Sequence, residues 1–378
     1  MTSRSSVTHA RWTALGLLCL VASSSACSHS EPFANPPGSE EPFDPGPPAR
    51  LTLNAGYDGS PSWLPDGSGI LYSAQQVDRG DDDICLAELP PTGGRQRRLI
   101  CDVPGGPEST DAAQSTAAAA DGRIAFFSAG NGSIGGSSPA LLSISLFPTL
   151  DAPDAQRVRT LPFTPPGGSD QNYAGHLRWR TGDALVYLGQ RFRARRECRD
   201  CRLDTLVVNT EVTTLDLSGA APAAAAVPGT TLATGVTPVL DGAAILYTLP
   251  SDSRIYSRVL ASGAVAVVHD FGTAGTARDV HAVGNRVAAI VGGRVAFSVD
   301  PLVGPMQWDS GGVLHVVELG ETGSLVLDTP GRLYRRPALS PDGSRIVAEG
   351  FPLIITGPPA SPDTTVSRSG DLYLFGDQ

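Results

Sequence analysis

A tight polar turn followed at once by a short apolar run occurs six times along the 378-residue chain. The two best copies span Ser60–Tyr72 and Arg336–Ala348, and each contains the tripeptide Pro-Asp-Gly. The turns begin 43 to 61 residues apart, at Asp66, Asp121, Gly182, Asp241, Gly284 and Asp342. A period of this size indicates repeated supersecondary units and fits four-stranded propeller blades with variable outer loops. The repeat therefore predicts an all-β fold, a six-bladed β-propeller of four-stranded antiparallel blades.

The residues of the two best turns have structural reasons to be there. Proline presets φ at the second turn position, aspartate can bond back to the backbone, and glycine accepts a positive φ at the exit. We therefore expect a structural rather than a catalytic role for the turn residues Pro65, Asp66, Gly67, Pro341, Asp342 and Gly343.

These two copies resemble the TolB-type propeller repeat, whose core is Pro-x-(Trp/Leu)-Ser-Pro-Asp-Gly-x-x-(Ile/Leu)-x-(Tyr/Phe). Leu64 stands where that pattern has serine, and the four middle copies keep only the turn and the strand. The resemblance covers residues 50–378 and implies a closed ring of blades. A repeat of this type ends with a Leu-Thr strand, which is missing after Asp371–Gln378 and present at Arg50–Leu53. We therefore expect the N-terminal strand to complete the last blade.

Residues 1–26 have the features of a secretion signal. Arg4 and Arg11 accompany an apolar core over Trp12–Ala22, whose eleven residues are too few for a bilayer span of about 20. The small residues before Cys27 resemble a bacterial lipoprotein signal. This implies lipidation of Cys27 and a lipid anchor on the periplasmic side of the outer membrane or at the cell surface. Cleavage after Ala26 without lipidation, which gives a soluble periplasmic protein, is the alternative.

The segment that follows the signal has a different composition. Residues 27–49 are rich in proline and acidic residues and have almost no aliphatic side chains. Such a segment cannot bury enough apolar surface to fold, and we expect an extended spacer. The predicted organisation is a signal peptide over residues 1–26, a disordered tether over 27–49 and a propeller over 50–378.

Four cysteines lie in the predicted propeller: Cys85, Cys101, Cys198 and Cys201. An even number in an exported chain indicates disulfides. Cys85 and Cys101 lie in consecutive apolar runs around a turn, so antiparallel strands could bring their sulfur atoms together. For Cys198 and Cys201 we expect a local structural disulfide, because the sequence has no second Cys-x-x-Cys or histidine pair for zinc. A redox pair is the alternative interpretation.

An arginine-rich loop stands out in a protein of net charge −10, and its basic residues are Arg191, Arg193, Arg195, Arg196, Arg199 and Arg202. Guanidinium groups suit carboxylates, phosphates, sulfated sugars and lipid head groups. Capture of an anionic glycan or lipid by this loop is one interpretation. A solvated loop whose charges are balanced by neighbouring acidic residues is the other.

Net charge and residue content argue against several function classes. A net charge of −10 disfavours nucleic acid as a partner. All 28 basic residues are arginine, which excludes Schiff-base and phosphate-loop mechanisms that use lysine. The sequence has no Gly-x-Ser-x-Gly hydrolase motif. We predict neither a metal site nor a cofactor.

Two groups of residues lie near the predicted central channel. Arg278, Asp279 and His281 stand at the start of an innermost strand, where they could form a catalytic trio or simply hydrate the channel. Trp63 and Trp179 precede blade turns, and packing between blades is their expected role.

The leading hypothesis is a membrane-tethered, non-enzymatic, monomeric propeller that binds a protein or envelope component through its loops. A peptidoglycan-associated partner fits the same hypothesis. The resemblance implies this function through the fold alone. The alternative is a carbohydrate-active lyase or hydrolase with its site in the central channel, which would need two or three convergent acid–base groups there.

Overall fold

A computed structural model describes residues 48–53, 56–76, 83–101, 114–129, 142–152, 156–160, 170–196, 203–292, 295–300, 304–309, 311–356, 363–366 and 370–376. The predicted signal peptide, Cys27 and nearly all of the predicted tether lie outside these residues. The described residues are mostly strand and turn, with a short 3-10 helix at Gly272–Ala274.

Twenty-seven strands are present in the described part of the chain. In chain order they are β1 (Ala49–Arg50), β2 (Asp58–Trp63), β3 (Ile70–Gln76), β4 (Asp83–Leu89), β5 (Arg98–Ile100), β6 (Gln114–Ala118), β7 (Ile124–Ala129), β8 (Leu142–Phe147), β9 (Gln156–Thr160), β10 (Asp170–Thr181), β11 (Ala184–Arg196), β12 (Leu203–Asp216), β13 (Ala223–Ala226), β14 (Gly235–Val239), β15 (Ala244–Thr248), β16 (Arg254–Val259), β17 (Val265–Asp270), β18 (Ala277–Val283), β19 (Arg286–Val291), β20 (Val295–Asp300), β21 (Gly304–Asp309), β22 (Val313–Glu318), β23 (Leu325–Leu327), β24 (Arg332–Leu339), β25 (Arg345–Thr356), β26 (Asp363–Val366) and β27 (Asp371–Gly376).

Over the described ranges these strands form six antiparallel blades of four strands each, which confirms the predicted fold class. Blades 1 to 4 use consecutive strands from the axis outward, namely β2–β5, β6–β9, β10–β13 and β14–β17. Blade 5 consists of β18, β19, β22 and β23, with the β20–β21 hairpin inserted after its second strand. Blade 6 consists of β24, β25, β27 and β1, and β26 pairs with the end of β25. The innermost strands contact one another in turn around the ring, and β24 contacts β2.

Each of the six turns predicted from the repeat joins the innermost strand of a blade to its second strand. Asp66 Oδ1 accepts hydrogen bonds from the backbone N and the hydroxyl of Ser68, at 3.0 and 2.7 Å. In blade 6 the backbone N and the hydroxyl of Ser344 donate to Asp342, at 3.0 and 2.8 Å. The glycine after each aspartate has a φ of 70° or 72°, which glycine adopts without steric cost. These contacts within each turn support a structural role for both aspartates.

The N-terminal strand closes the ring. β1 pairs antiparallel with β27, and Arg50 lies opposite Tyr373. Beyond the strand, the backbone N of Leu51 donates to the carbonyl of Leu372 at 2.7 Å. The Arg50 guanidinium also lies 2.7 Å from the Asp371 carboxylate. The predicted closure is thus confirmed, and it covers the edge that β27 would otherwise expose for pairing with another chain.

Two tryptophans tie neighbouring innermost strands together. Trp63 Nε1 in blade 1 donates to the carbonyl of Ala338 in blade 6 at 3.0 Å. Trp179 Nε1 in blade 3 donates to the carbonyl of Ala117 in blade 2 at 3.1 Å. Each indole therefore joins its own blade to the preceding one, in agreement with the packing role predicted for both residues.

A disulfide joins Cys85 in β4 to Cys101 after β5, the pair predicted from the turn between them. Both half-cystines are buried in blade 1. The cross-link closes a short loop and so restricts the unfolded chain. Cys198 and Cys201 lie outside the described residues, and their disulfide stays a prediction.

Candidate functional site

A cavity of about 200 Å³ lies on the propeller axis. Its wall includes at least one residue from each blade, among them Ser62, Ala117, Arg178, Thr237, His281 and Leu339. These residues lie in the C-terminal halves of the innermost strands, and Trp63 and Trp179 add apolar surface. Pockets for drug-sized ligands usually exceed about 300 Å³. The axial cavity therefore suits one side chain or one chain end of a ligand.

On the N-terminal side of this cavity, the innermost strands of five blades carry β-bulges at equivalent positions. At four of these bulges one non-glycine residue has a positive φ: Ser60 (52°), His176 (54°), Asp279 (38°) and Arg336 (47°). This conformation costs about 1–3 kcal/mol for such residues, and it is common at functional sites. A bulge re-aims a side chain away from its regular position in the strand. Here the bulges bring the four residues into one axial cluster.

Blade 4 has glycine at the equivalent position. A Cβ atom on Gly235 would lie 2.9 Å from the backbone N of Asp279. Real Cβ atoms do not approach backbone that closely, because the interior is packed to van der Waals contact. The missing side chain in blade 4 therefore leaves room for the bulge of blade 5.

Glu349 in β25 is fully buried and forms the centre of an ionic network between blades 6 and 1. Its Oε1 accepts hydrogen bonds from the Tyr57 hydroxyl at 2.9 Å, from the Arg336 guanidinium at 3.1 Å and from the backbone N of Ser60. Its Oε2 lies 3.3 Å from Arg335 Nε. Arg336 Nη1 also lies 2.7 Å from the Tyr57 hydroxyl and 2.8 Å from the Ser60 hydroxyl. The network thus joins the last blade to the first.

Charge and burial fix the protonation states of this network. Burial alone would raise the pKa of Glu349, but Arg336, Arg335 and the hydrogen bond from Ser60 hold it below its ordinary value. Burial is the main cause that raises the pKa of Tyr57 to about 12, against the attraction of Arg336. At neutral pH Glu349 is therefore ionised and Tyr57 keeps its proton.

A second contact links blades 3 and 5. His176 Nε2 lies 2.9 Å from Asp279 Oδ1, and the backbone N of Arg336 donates to Asp279 Oδ2 at 3.1 Å. Burial would raise the pKa of Asp279, but His176 and then Arg336 hold it well below its ordinary value. Both carboxylate oxygens of Asp279 are therefore occupied by donors of the protein.

Arg178 lies between the axial cavity and the axial cluster. It lines the cavity and also a water-sized void beside Ser60, His176 and Arg336. Its Nη1 donates to the carbonyl of Leu177 at 3.0 Å, whereas its buried Nε has no hydrogen-bond partner. Burial lowers the pKa of Arg178 to about 10, with Asp279 opposing and Arg336 adding to the shift. The guanidinium is still protonated at neutral pH.

The charges of the cluster determine what it can bind. Two carboxylates, of Asp279 and Glu349, stand against the three guanidinium groups of Arg178, Arg335 and Arg336, an excess of one positive charge before His176 is counted. Within the described ranges no group of three or more His, Cys, Asp or Glu residues is placed to hold a metal ion. The arrangement therefore suits an anion better than a cation.

The trio suggested by the sequence, Arg278, Asp279 and His281, is not assembled as a unit. Asp279 pairs with His176 from blade 3 rather than with His281. His281 lines the axial cavity, and its Nδ1 accepts a hydrogen bond from the backbone N of Leu339 at 3.1 Å. Burial and a nearby guanidinium lower the pKa of His281 well below its ordinary value, so the ring is neutral at pH 7.

Sequence reasoning missed seven members of the site: Tyr57, Ser60, His176, Arg178, Arg335, Arg336 and Glu349. One usable signal was present in the repeat. Ser60, His176, Gly235 and Arg336 each precede the first residue of their turn by six positions. Alignment of the copies on the turns would therefore have placed these residues at one level of the ring. The same alignment would not have identified Glu349, which lies in the second strand of its blade.

The arginine-rich segment differs from its prediction. Strand β11 runs to Arg196, so four of the arginines predicted in a loop lie in a strand instead: Arg191, Arg193, Arg195 and Arg196. Arginine alternates there with Phe192 and Ala194, a period of two that is typical of strands. Arg199 and Arg202 lie outside the described residues. Anion binding by this segment stays a prediction.

No family model matches the sequence, and no curated protein matches it. Among solved structures, putative TolB from Agrobacterium tumefaciens is 11% identical, with 87% of this chain and 93% of that chain covered and a TM-score of 0.48. TolB from Acinetobacter baumannii is 12% identical, with 87% and 56% covered and a TM-score of 0.31. An acylaminoacyl peptidase from Pyrococcus horikoshii is 13% identical, with 85% and 46% covered and a TM-score of 0.42. Similarity at this level assigns no function, and the propeller fold rests on the strand topology above.

Proposed function

We propose that this chain is an exported, lipid-tethered propeller that binds a protein or envelope component and carries out no catalysis. The observation that carries the proposal is the axial cavity of about 200 Å³, which all six blades line and which Arg178 borders with a positive charge. A cavity of this size accepts one protruding group of a ligand. Loops around the ring would supply the surrounding contacts, because binding residues commonly lie on loops held by a rigid scaffold.

The groups around the cavity suit binding better than acid–base catalysis. A general base needs a free lone pair near the substrate and a pKa near the working pH. Glu349 is fully buried and Asp279 has both oxygens occupied, and the pKa of each lies below its ordinary value. His281 Nδ1 already accepts a hydrogen bond from the protein. The convergent groups that a channel enzyme would need are thus engaged in internal contacts.

The tether follows from the N-terminal sequence. Lipidation of Cys27 would fix residues 27–49 to the membrane, a segment of 23 residues. At about 3.1 Å per residue, an extended proline-rich spacer of this length reaches roughly 70 Å. The propeller could then reach partners well above the membrane surface. Among the residues that the structure describes, no helix has the length and apolar character required to cross a bilayer.

Crosslinking in the native cells, followed by purification from membranes, tests the tether and the partner together. We expect the full chain to fractionate with membranes and to yield a defined crosslinked species. Cys27→Ser removes the lipid acceptor and should shift the protein to the soluble fraction, whereas the nearby control Ser30→Ala should not. Membrane retention of Cys27→Ser would contradict the tether, and the absence of any crosslinked species from the wild-type chain would contradict the binding role.

A further inference from the structure

Arg178 is partly buried, and it forms no ion pair with a carboxylate of the described residues. The acidic group whose charge acts on it is Asp279, whose two oxygens are held by His176 and by the backbone of Arg336. Removing a charge from water is costly unless a counter-charge or hydrogen bonds replace the lost hydration. The protein itself supplies Arg178 with one carbonyl acceptor, that of Leu177.

Three other arginines, Arg286, Arg335 and Arg336, each pair with a carboxylate. Arg286 Nε lies 2.5 Å from a carboxylate oxygen of Glu318. Arg335 and Arg336 both pair with Glu349, at 3.3 and 3.1 Å. Arg178 thus departs from the pairing seen at these positions, and it does so at the wall of the axial cavity.

His281, another polar residue of the cavity wall, is also a donor. The backbone N of Leu339 donates to His281 Nδ1 at 3.1 Å. Because the neutral ring carries one proton, that proton resides on Nε2. His281 therefore offers an N–H group on the same wall as Arg178. Two donors, one of them charged, define a site for an acceptor with negative charge.

We propose that Arg178 binds a carboxylate of the ligand inside the axial cavity, with His281 as a second donor. This inference rests on the proposed binding function and specifies the chemistry of the bound group. A carboxylate would supply the counter-charge that Arg178 lacks and an acceptor for its Nε, and carboxylates fit the planar guanidinium well. A cavity of about 200 Å³ restricts the group to an acidic side chain, a chain end or a small free acid.

Calorimetric titration of the full chain with matched small molecules tests the proposal. N-acetylglycine represents a chain end, and acetate represents a free acid. N-acetylaspartate whose α-carboxyl group is amidated represents an acidic side chain. N-acetylglycinamide is the neutral match to the first. We expect at least one of the acids to bind and the neutral amide not to bind. The acid that binds most tightly identifies the source of the carboxylate.

Arg178→Gln should weaken the binding of that acid by about tenfold or more, the usual loss for a charge-assisted hydrogen bond. Arg178→Lys should keep part of the affinity, and Arg254→Gln, which removes an exposed arginine, should keep all of it. In the absence of acid, Arg178→Met should unfold at a higher urea concentration than the wild type, because a partly buried charge without a counter-charge is removed. A purely structural Arg178 would shift that midpoint in the opposite direction.

Three results would overturn the carboxylate site: no binding by any of the acids, equal binding of the neutral amide, or binding that Arg178→Gln leaves unchanged. Partner capture in the crosslinking experiment is measured separately. If capture persists while the acids fail to bind, the carboxylate site is wrong and the proposed binding function stands. If both fail, the binding function itself is wrong.

Discussion

Glu349→Gln should lower the free energy of unfolding by about 3–5 kcal/mol, the usual effect of removing one partner from a buried ion pair. The substitution keeps the shape of the side chain but leaves Arg335 and Arg336 without their counter-charge. It also places an amide where Ser60, Tyr57 and Arg336 now donate. Urea denaturation followed by circular dichroism measures the change.

The pH dependence of this effect has a definite sign. The pKa of Glu349 is lower in the folded chain than in the unfolded one, so its contribution is complete above the ordinary glutamate value of about 4.3. The contribution is lost as the pH falls through the lowered pKa of the folded state. The difference between Glu349→Gln and the wild type should therefore be largest at neutral pH and shrink in acid.

Asp183→Asn is the matched control for Glu349→Gln. Asp183 pairs with Arg123 at 3.1 Å, but its side chain is 60% exposed. Pairs of this kind contribute about 0–1 kcal/mol. An equal loss of stability in the two variants would show that the network around Glu349 has no special role in joining blade 6 to blade 1.

Leu51→Ala should lower the free energy of unfolding by about 2–5 kcal/mol, the range for deletion of a buried leucine side chain. Leu51 follows β1 and is 6% exposed. It packs with Trp63 of blade 1 and with Leu372 and Leu374 of blade 6. The substitution therefore weakens the packing of the N-terminal strand against blades 1 and 6.

Leu53→Ala is the control for the closure, because Leu53 is only two positions away and 79% exposed. We expect its free energy of unfolding, measured in urea, to match that of the wild type within about 0.5 kcal/mol. Weaker packing of the N-terminal strand also exposes the edge of β27, so Leu51→Ala should aggregate faster on heating. Similar stabilities for Leu51→Ala and Leu53→Ala would mean that the N-terminal strand contributes little to closure.

The architecture was predictable because its signals are local. The best turn pairs, Asp66–Gly67 and Asp342–Gly343, combine positive φ with side-chain contacts to their own loop, and these depend on a few consecutive residues. The closure was predictable because the chain ends contain complementary parts of one repeat. The disulfide between Cys85 and Cys101 followed from two neighbouring strands and a turn.

The axial cluster was not predictable by the same means. Its contacts join residues far apart in the chain, such as Tyr57 with Glu349 and His176 with Asp279. They also depend on bulges, which change which side chains reach the axis without leaving a clear pattern in composition. Prediction from the local sequence therefore grouped Asp279 with His281, its neighbour in the chain, and missed His176, its partner in blade 3. Register between blades, rather than spacing along the chain, decides which polar groups meet.

Partner capture by a variant with a filled cavity tests the central claim most directly, namely that the axial cavity is the ligand site. Ser62→Trp places a bulky ring in the cavity wall, and Val265→Trp places the same ring on the outer strand of blade 4, where Val265 is 48% exposed. Both chains are crosslinked in native cells after their folding has been checked by urea denaturation. We predict that Ser62→Trp loses the crosslinked species and that Val265→Trp retains it. Retention by folded Ser62→Trp at the wild-type level would contradict the claim.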